Sequence, residues 1–165
     1  GGGAIVNTSS LVALYGNFGQ SNYSAAKMAV VGLMNTLHLE GAKYDIRVNC
    51  LAPTAATQMM EGIVPAEQLA LLRPELVSPA VVALASEEAP TRAILCAGAG
   101  GFELAHVTLT RGIFLDEQSQ TAEALLAKWD QLADREGEYV PDYGFFQSRC
   151  ELTKAGYVFP EQDKP

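Results

Sequence analysis

The sequence predicts an α/β fold whose sheet is mostly parallel. Three short apolar segments, Ala4–Thr8, Arg47–Leu51 and Ile94–Ala97, have the length and the β-branched content of buried strands, and we expect Pro53 to end the second. Helical patterns separate these segments, and an alternation of strands with helices is typical of a parallel sheet covered by helices. At 165 residues, 48% of them hydrophobic, the chain is long enough for one domain with a packed core.

The longest helical segment is Asn22–Tyr44, which is rich in Ala, Leu and Met and contains no Pro. Its stretch AVVGLMNTLHL is apolar on more than one face, so we expect one face to meet the sheet and another to meet a second helix or a second subunit. Further along, Ser78 and Pro79 predict the N-cap and the first residue of a helix that ends at Ala85.

A glycine-rich segment, Gly98-Ala-Gly-Gly101, follows the third predicted strand. It does not have the G-x-G-x-x-G spacing of a phosphate-binding turn, because Glu103 occupies the position of the last glycine, and no helix pattern follows it. We therefore expect a turn that leaves the last strand of the sheet.

The remainder of the chain is predicted to hold one amphipathic helix. After an extended stretch at Phe102–Leu109, apolar residues share one helical face near Ser119–Glu136, with Trp129 as a packing residue and Gly137 as the C-cap. We expect the polar end, from about Glu151, to be frayed.

Composition excludes several classes of function. The net charge of −8 and the lack of any basic run argue against nucleic acid as the main ligand. No stretch of about 20 apolar residues predicts a membrane span. Cys50, Cys96 and Cys150 have no C-x-x-C spacing, so we expect no metal site, no disulfide framework and a reducing, cytoplasmic setting, with Cys50 and Cys96 as core residues. His38 has no second ligand or base beside it and is predicted to be a surface or interface residue.

The chemistry of the chain is predicted to lie in Tyr23-Ser-Ala-Ala-Lys27 and in Ser10, thirteen residues before the tyrosine. A four-residue offset places Tyr23 and Lys27 on one helix face, one turn apart. A tyrosine with its ordinary pKa of about 10 is a poor acid or base at neutral pH, and a neighbouring cation favours the phenolate. Lys27 is placed to supply that charge, and Ser10 could hydrogen-bond a substrate oxygen. The pattern favours acid/base chemistry on an alcohol or a ketone.

The segments IVNTSS, GNFGQSNYSAAK and RVNCLAP, in this order and spacing, resemble the short-chain dehydrogenase/reductase family. The resemblance extends from Ala4 to Gly101. It implies that Ser10, Tyr23 and Lys27 are the catalytic serine, tyrosine and lysine. Ser10 is preferred to Ser9 because the family's usual gap to the tyrosine is thirteen.

The resemblance also implies an NAD or NADP cofactor. Tyr23 and Lys27 would contact it, Lys27 through the ribose hydroxyls. Pro53, Ala55 and Thr57 would contact the nicotinamide, although Pro53-Thr-Ala-Ala-Thr57 departs from the family's P-G-x-x-x-T pattern. The apolar residues of the following segment either form a lid over an acyl chain or belong to the core: Met59, Met60, Ile63, Val64, Leu69 and Leu72, the last two in a short helix predicted at Ala66–Leu72.

The fold implied is the C-terminal part of a doubly wound parallel-sheet (Rossmann) fold. Residues 1–104 would be the C-terminal half of the dinucleotide-binding and catalytic domain, with the first half absent, and residues 105–165 a C-terminal helical extension. The segments APTAATQM and RPELVSP are more loosely similar to the (3R)-hydroxyacyl-CoA dehydrogenase subfamily.

The function expected is the interconversion of a secondary alcohol and a ketone, with a 3-hydroxyacyl thioester as one candidate substrate, in a protein that forms homo-oligomers. We expect the chain alone to be inactive. Two alternatives stay open: a non-catalytic folding or association module, and an epimerase or dehydratase that uses the same Tyr23 and Lys27 pair.

Overall fold

The structure is a computed structural model that describes residues 1–57 and 64–160. Contacts divide the chain into two compact units, Gly1–Ala105 and His106–Pro165. The first unit contains a four-stranded sheet in which each strand pairs with the next along the chain. The strands are β1 (Gly3–Thr8), β2 (Ile46–Thr54), β3 (Ile94–Gly98) and β4 (Gly101–Ala105).

The three predicted strands are confirmed, and β1, β2 and β3 are parallel. The prediction that Pro53 ends the second strand is wrong, because β2 continues to Thr54 and Pro53 is paired in register with Ala97. The Cys50 amide donates to Ala93 O on the β3 side, so the backbone nitrogen of Pro53 faces the β1 side. The pairing with β1 ends at Leu51, and a proline without an N–H is therefore accommodated at this position.

The fourth strand corrects the prediction for the glycine-rich segment. The segment Gly98–Gly101 is a turn, as predicted. It does not leave the last strand of the sheet, however, because it connects β3 to the antiparallel strand β4. Ala99 and Gly100 have φ values of 51° and 84°. Two central residues with positive φ are typical of the tight turn of a β-hairpin. The extended stretch predicted at Phe102–Leu109 is thus a strand as far as Ala105.

The strand β1 was expected to be buried but is mostly exposed, with four of its six residues exposed and none buried. Its burial increases only towards Val6 and Asn7, and Ile5 keeps 38% of its surface exposed. The reason is its place in the sheet, since β1 lies at one edge of the four described strands and pairs only with β2.

The helices of the first unit lie before and after β2. They are α1 (Leu11–Tyr15), α2 (Ser21–Gly41), α3 (Ala66–Leu71) and α4 (Ser78–Ala85), with single 3-10 turns at Ala42–Tyr44 and Pro74–Leu76. The long helix is confirmed. Helix α1 was not predicted, and the predicted N-cap of α4 is wrong by one residue, because Ser78 is the first helical residue and Val77 the cap.

Two apolar clusters of buried residues hold this unit together. One joins α2 to the sheet and contains Val31, Met34, Val48, Cys50 and Ile94; the other joins α4 to the sheet and contains Leu51, Val77, Ala80, Leu84 and Ala97. Cys50 is fully buried, as predicted, whereas Cys96 is only half-buried. Burial raises the pKa of the Cys50 thiol to about 11.

The second unit differs from its prediction. The single amphipathic helix is two short helices, α5 (Ala122–Ala127) and α6 (Trp129–Ala133), because Lys128 leaves helical geometry at φ −107° and ψ 17°. Trp129 does not serve as a packing residue within this chain, since 57% of its surface is exposed. Gly137 is not the C-cap, because α6 already ends at Ala133.

A third helix of this unit, α7 (Phe145–Lys154), was not predicted. It continues past Glu151, where we expected a frayed end. Tyr139 and Tyr143 pack edge-on against Phe146 in this helix. Within residues 1–57 and 64–160, no helix has the length and apolar character needed to cross a membrane, and no group of His, Cys, Asp and Glu side chains could hold a metal ion.

Candidate active site

Ser10 lies immediately after the carboxyl end of β1 and begins α1. Its extended backbone, at φ −163° and ψ 149°, makes it the N-cap, and its Oγ accepts a hydrogen bond of 3.1 Å from Val12 N. A hydroxyl that accepts from the backbone keeps its own proton to donate. Ser10 is 7% exposed. A substrate oxygen could use that proton without disrupting the cap.

Tyr23 and Lys27 lie one turn apart on α2. The Lys27 Nζ is 5.9 Å from the centroid of the Tyr23 ring. It also donates a hydrogen bond of 2.9 Å to Thr8 O, two residues before Ser10. Tyr23 is 41% exposed and so is open to solvent. The structure thus joins Lys27 to Tyr23 along the helix and to the end of β1 across the fold.

Two further serines tie α2 to the segment after β1, and sequence reasoning missed both. Ser9 is 1% exposed and donates from Oγ to Lys27 O at 2.9 Å. Ser24 donates from Oγ to Val12 O at 3.0 Å. Serine is abundant in turns and caps for many local reasons. The sequence indicates a role for these two serines only through their position, since Ser9 precedes Ser10 in IVNTSS and Ser24 follows Tyr23 in GNFGQSNYSAAK.

The expected cofactor segment lies where β2 ends. Pro53 and Ala55 are half-buried, and Ala55 packs against the cluster on the α4 side of the sheet. Thr57 is exposed. The Ala56 amide donates to Leu72 O at 2.6 Å, which fixes the segment to the chain after α3. Of the apolar residues proposed as lid or core, Val64, Leu69 and Leu72 are half-buried, and Met59, Met60 and Ile63 lie outside the described residues.

The described candidate residues therefore lie at the carboxyl ends of β1 and β2 or on α2, the helix that packs beside them. Ser10 follows β1, and residues 55–57 follow β2, whose carboxyl end is adjacent because the two strands are parallel. In open α/β sheets, ligands bind in the crevice outside the carboxyl ends of the strands. The arrangement offers a ligand the Ser10 hydroxyl, the Tyr23 phenol and the Lys27 ammonium in one region of the fold.

The backbones of β3 and β2 approach each other closely at the carboxyl end of β2. A Cβ atom on Gly98 would lie 2.8 Å from Thr54 O and 2.9 Å from Thr54 Cβ. Only glycine lets β3 approach the last residue of β2 this closely. Gly98 thus packs against the residue that directly precedes the expected cofactor segment at Ala55.

The chain is similar to several known proteins. Residues 1–68 match the family described as short chain dehydrogenase. A short-chain type dehydrogenase/reductase of Mycobacterium tuberculosis is 40% identical over 142 residues, which are 86% of this chain and 49% of that protein. The full-length peroxisomal multifunctional enzyme type 2 of Drosophila melanogaster superposes with a TM-score of 0.79 at 30% identity, covering 93% of this chain and 28% of that one. The 3-hydroxyacyl-CoA dehydrogenase type-2 of Mycobacterium avium superposes with a TM-score of 0.51 at 27% identity, covering 62% and 44%.

The chain spans less than half the length of each of these three proteins. The likeness of the two structures confirms the predicted α/β fold of the doubly wound type, here as a sheet of three parallel strands and one antiparallel strand with flanking helices.

Proposed function

The chain belongs to the short-chain dehydrogenase/reductase family, and from that premise we propose that the protein containing it is an NAD- or NADP-dependent oxidoreductase that interconverts a secondary alcohol and a ketone. One observation carries the proposal: the Lys27 Nζ lies 5.9 Å from the Tyr23 ring centroid and is hydrogen-bonded at Thr8 O, two residues before Ser10. A phenol can exchange a proton with the oxygen of an alcohol or a ketone, a cation can stabilise the phenolate, and a hydroxyl can hydrogen-bond that oxygen.

Each residue has a separate role in the proposed reaction. Ser10 donates its hydroxyl proton in a hydrogen bond to the substrate oxygen and so orients it towards Tyr23. In the direction of reduction, Tyr23 gives its phenolic proton to that oxygen as it becomes an alcohol; in oxidation, the Tyr23 oxygen takes the proton back. The Lys27 ammonium stabilises the negative charge that the Tyr23 oxygen carries without its proton.

The residues beside the carboxyl ends of β1 and β2 fit a nicotinamide cofactor. The Lys27 ammonium has three N–H donors, and the one described hydrogen bond, to Thr8 O, leaves two for ribose hydroxyls. Pro53, Ala55 and Thr57 would line the nicotinamide side, after the end of β2. When bound, the nicotinamide supplies or accepts the hydride.

The substrate class we propose is a 3-hydroxyacyl or 3-oxoacyl thioester, such as an acyl-CoA. Two lines support it: the loose similarity of APTAATQM and RPELVSP to a hydroxyacyl-CoA dehydrogenase subfamily, and the likeness to a structure named 3-hydroxyacyl-CoA dehydrogenase. The cytoplasmic location predicted from the cysteines stays a prediction, and one similar structure is of a peroxisomal enzyme.

We also propose that the protein is a homo-oligomer. Three apolar residues of α2, Met28, Leu33 and Leu39, each keep more than a third of their surface exposed. Apolar side chains left exposed on a helix are suited to contact with another subunit. Exposed apolar side chains of this kind are also what an association module without catalysis would need.

The test is hydride transfer by the full-length gene product. A panel of secondary alcohols and 3-hydroxyacyl-CoA thioesters is offered with NAD⁺ or NADP⁺, and reduced nicotinamide is followed by its absorbance. We expect turnover to be highest with the thioesters. Absence of any nicotinamide-dependent turnover, together with absence of saturable cofactor binding, would leave the association-module alternative. Product formation without net change in the nicotinamide would favour the epimerase or dehydratase.

A further inference from the structure

We infer that Ser9 is a positioning residue for Lys27, an inference that rests on the function proposed above. Ser9 is 1% exposed, so its side chain cannot reach a substrate. Its Oγ donates a hydrogen bond of 2.9 Å to the main-chain oxygen of Lys27, eighteen residues further along the chain. Any effect of Ser9 on the reaction must therefore act through another residue.

Lys27 is held at both of its ends by one dipeptide. Ser9 Oγ bonds to the Lys27 carbonyl, and Thr8 O accepts from the Lys27 ammonium at 2.9 Å. A lysine side chain has a long, flexible stem and loses much rotamer freedom when it is ordered. Fixing its backbone and its Nζ against the same two residues selects a small set of side-chain conformations.

The Ser9 hydrogen bond is not needed by the helix itself. The Lys27 carbonyl lies inside α2, where it accepts from the amide four residues later in the regular helical pattern. The bond from Ser9 is a second one to the same oxygen, and it crosses from one element to another. Its effect is to set the distance between the end of β1 and the helical turn that carries Lys27.

Ser9 is in turn fixed to the sheet. Its amide donates to Leu51 O at 2.7 Å, at the last register position of the pairing between β1 and β2. The contacts therefore run from the sheet through Ser9 to Lys27, while the adjacent Ser10 caps α1. Loss of the Ser9 hydroxyl would release the Lys27 turn from the residues that also position Ser10.

The consequence is measurable in the proton-transfer step. A displacement of about 1 Å in a catalytic arrangement can cost up to about 100-fold in rate. We expect Ser9→Ala in the full-length gene product to lower kcat about tenfold or more per folded molecule. We also expect the solvent deuterium isotope effect on kcat to rise, because proton transfer becomes slower relative to the other steps. A change in the amount of folded protein does not move an isotope effect.

The control and the conservative variants separate positioning from simple stability. Ile94→Val removes one methylene from the buried cluster on the α2 side, in β3, which does not pair with β1, and should lower stability without changing the isotope effect. Ser9→Thr keeps the hydroxyl and should restore part of the lost kcat. If Ser9→Ala does not fold, Ser9→Cys, with a weaker donor of similar size, takes its place in the comparison.

The outcomes distinguish this inference from the proposed function. If the wild type turns over, Tyr23→Phe does not, and Ser9→Ala keeps the wild-type kcat and isotope effect, the inference about Ser9 is overturned and the proposed function stands. If the wild type shows no nicotinamide-dependent turnover, the proposed function fails and the inference fails with it.

Discussion

The substitution Gly98→Ala tests the close packing of β3 against the end of β2. The added Cβ would lie 2.8 Å from Thr54 O and 2.9 Å from Thr54 Cβ, closer than real Cβ contacts come. Neither Thr54 atom is the tip of a flexible side chain, so the strands themselves must move apart. Inserting a methyl group into a well-packed site of this kind costs about 1–3 kcal/mol.

The assay is urea denaturation of the full-length gene product, with Gly32→Ala as the matched control. Gly32 lies inside α2, and a Cβ added there would meet no atom within 4 Å, so alanine should stabilise by up to about 1 kcal/mol. With a urea dependence of about 2 kcal/mol per molar, a loss of about 2 kcal/mol lowers the midpoint of Gly98→Ala by about 1 M. The reasoning is refuted if Gly98→Ala unfolds at or above the wild-type midpoint while Gly32→Ala behaves as expected.

Two further predictions concern buried polar groups of β2. Asn49 is fully buried, donates from Nδ2 to Pro90 O at 2.7 Å and accepts at Oδ1 from Ala93 N at 2.9 Å. The substitution Asn49→Ala should lower the free energy of unfolding by about 2 kcal/mol or more, because a buried carbonyl and a buried amide lose their partner. An unchanged midpoint of urea denaturation would contradict this. Burial raises the pKa of the Cys50 thiol to about 11, so about one molecule in a thousand carries the thiolate at pH 8. Iodoacetamide should modify Cys50 far more slowly in the native than in the urea-unfolded protein, as measured by peptide mass spectrometry, and equal rates would show that the thiol is accessible.

Much of the first unit could be predicted because its elements have strong local patterns. The three parallel strands are short β-branched runs, and α2 is a long segment of good helix formers without proline. β4 was missed as a strand because its pairing depends on the two positive-φ residues Ala99 and Gly100. Alanine seldom adopts that conformation, so the sequence alone did not suggest a hairpin.

The second unit was harder to predict because its helices are short and largely exposed. The periodicity of 119–136 is real, but it does not show that Lys128 interrupts the helix. Phe145, near the start of α7, is 79% exposed, so burial gives little pattern by which to recognise this helix.

The candidate site likewise has one part that could be predicted from the sequence and one part that could not. The spacing of Tyr23 and Lys27 is enough by itself to predict that they share one helix face. The hydrogen bonds of Lys27 to Thr8 and Ser9 connect residues nineteen and eighteen positions apart. Such contacts follow from the packing of α2 against the end of β1, and no local pattern in the sequence encodes them.

The central claim is that Tyr23, beside Lys27, transfers the proton, and a second tyrosine offers a matched control. Tyr44 is 59% exposed and has the Lys43 Nζ 4.8 Å from its ring centroid. It precedes β2, so it lies at the amino ends of the parallel strands, whereas Ser10 lies at their carboxyl ends. The most direct measurement is kcat at saturating nicotinamide and substrate for Tyr23→Phe and for Tyr44→Phe in the full-length gene product. We predict a loss of at least about 100-fold for Tyr23→Phe, with cofactor binding retained, and no loss for Tyr44→Phe. Turnover of Tyr23→Phe at the wild-type rate would contradict the claim.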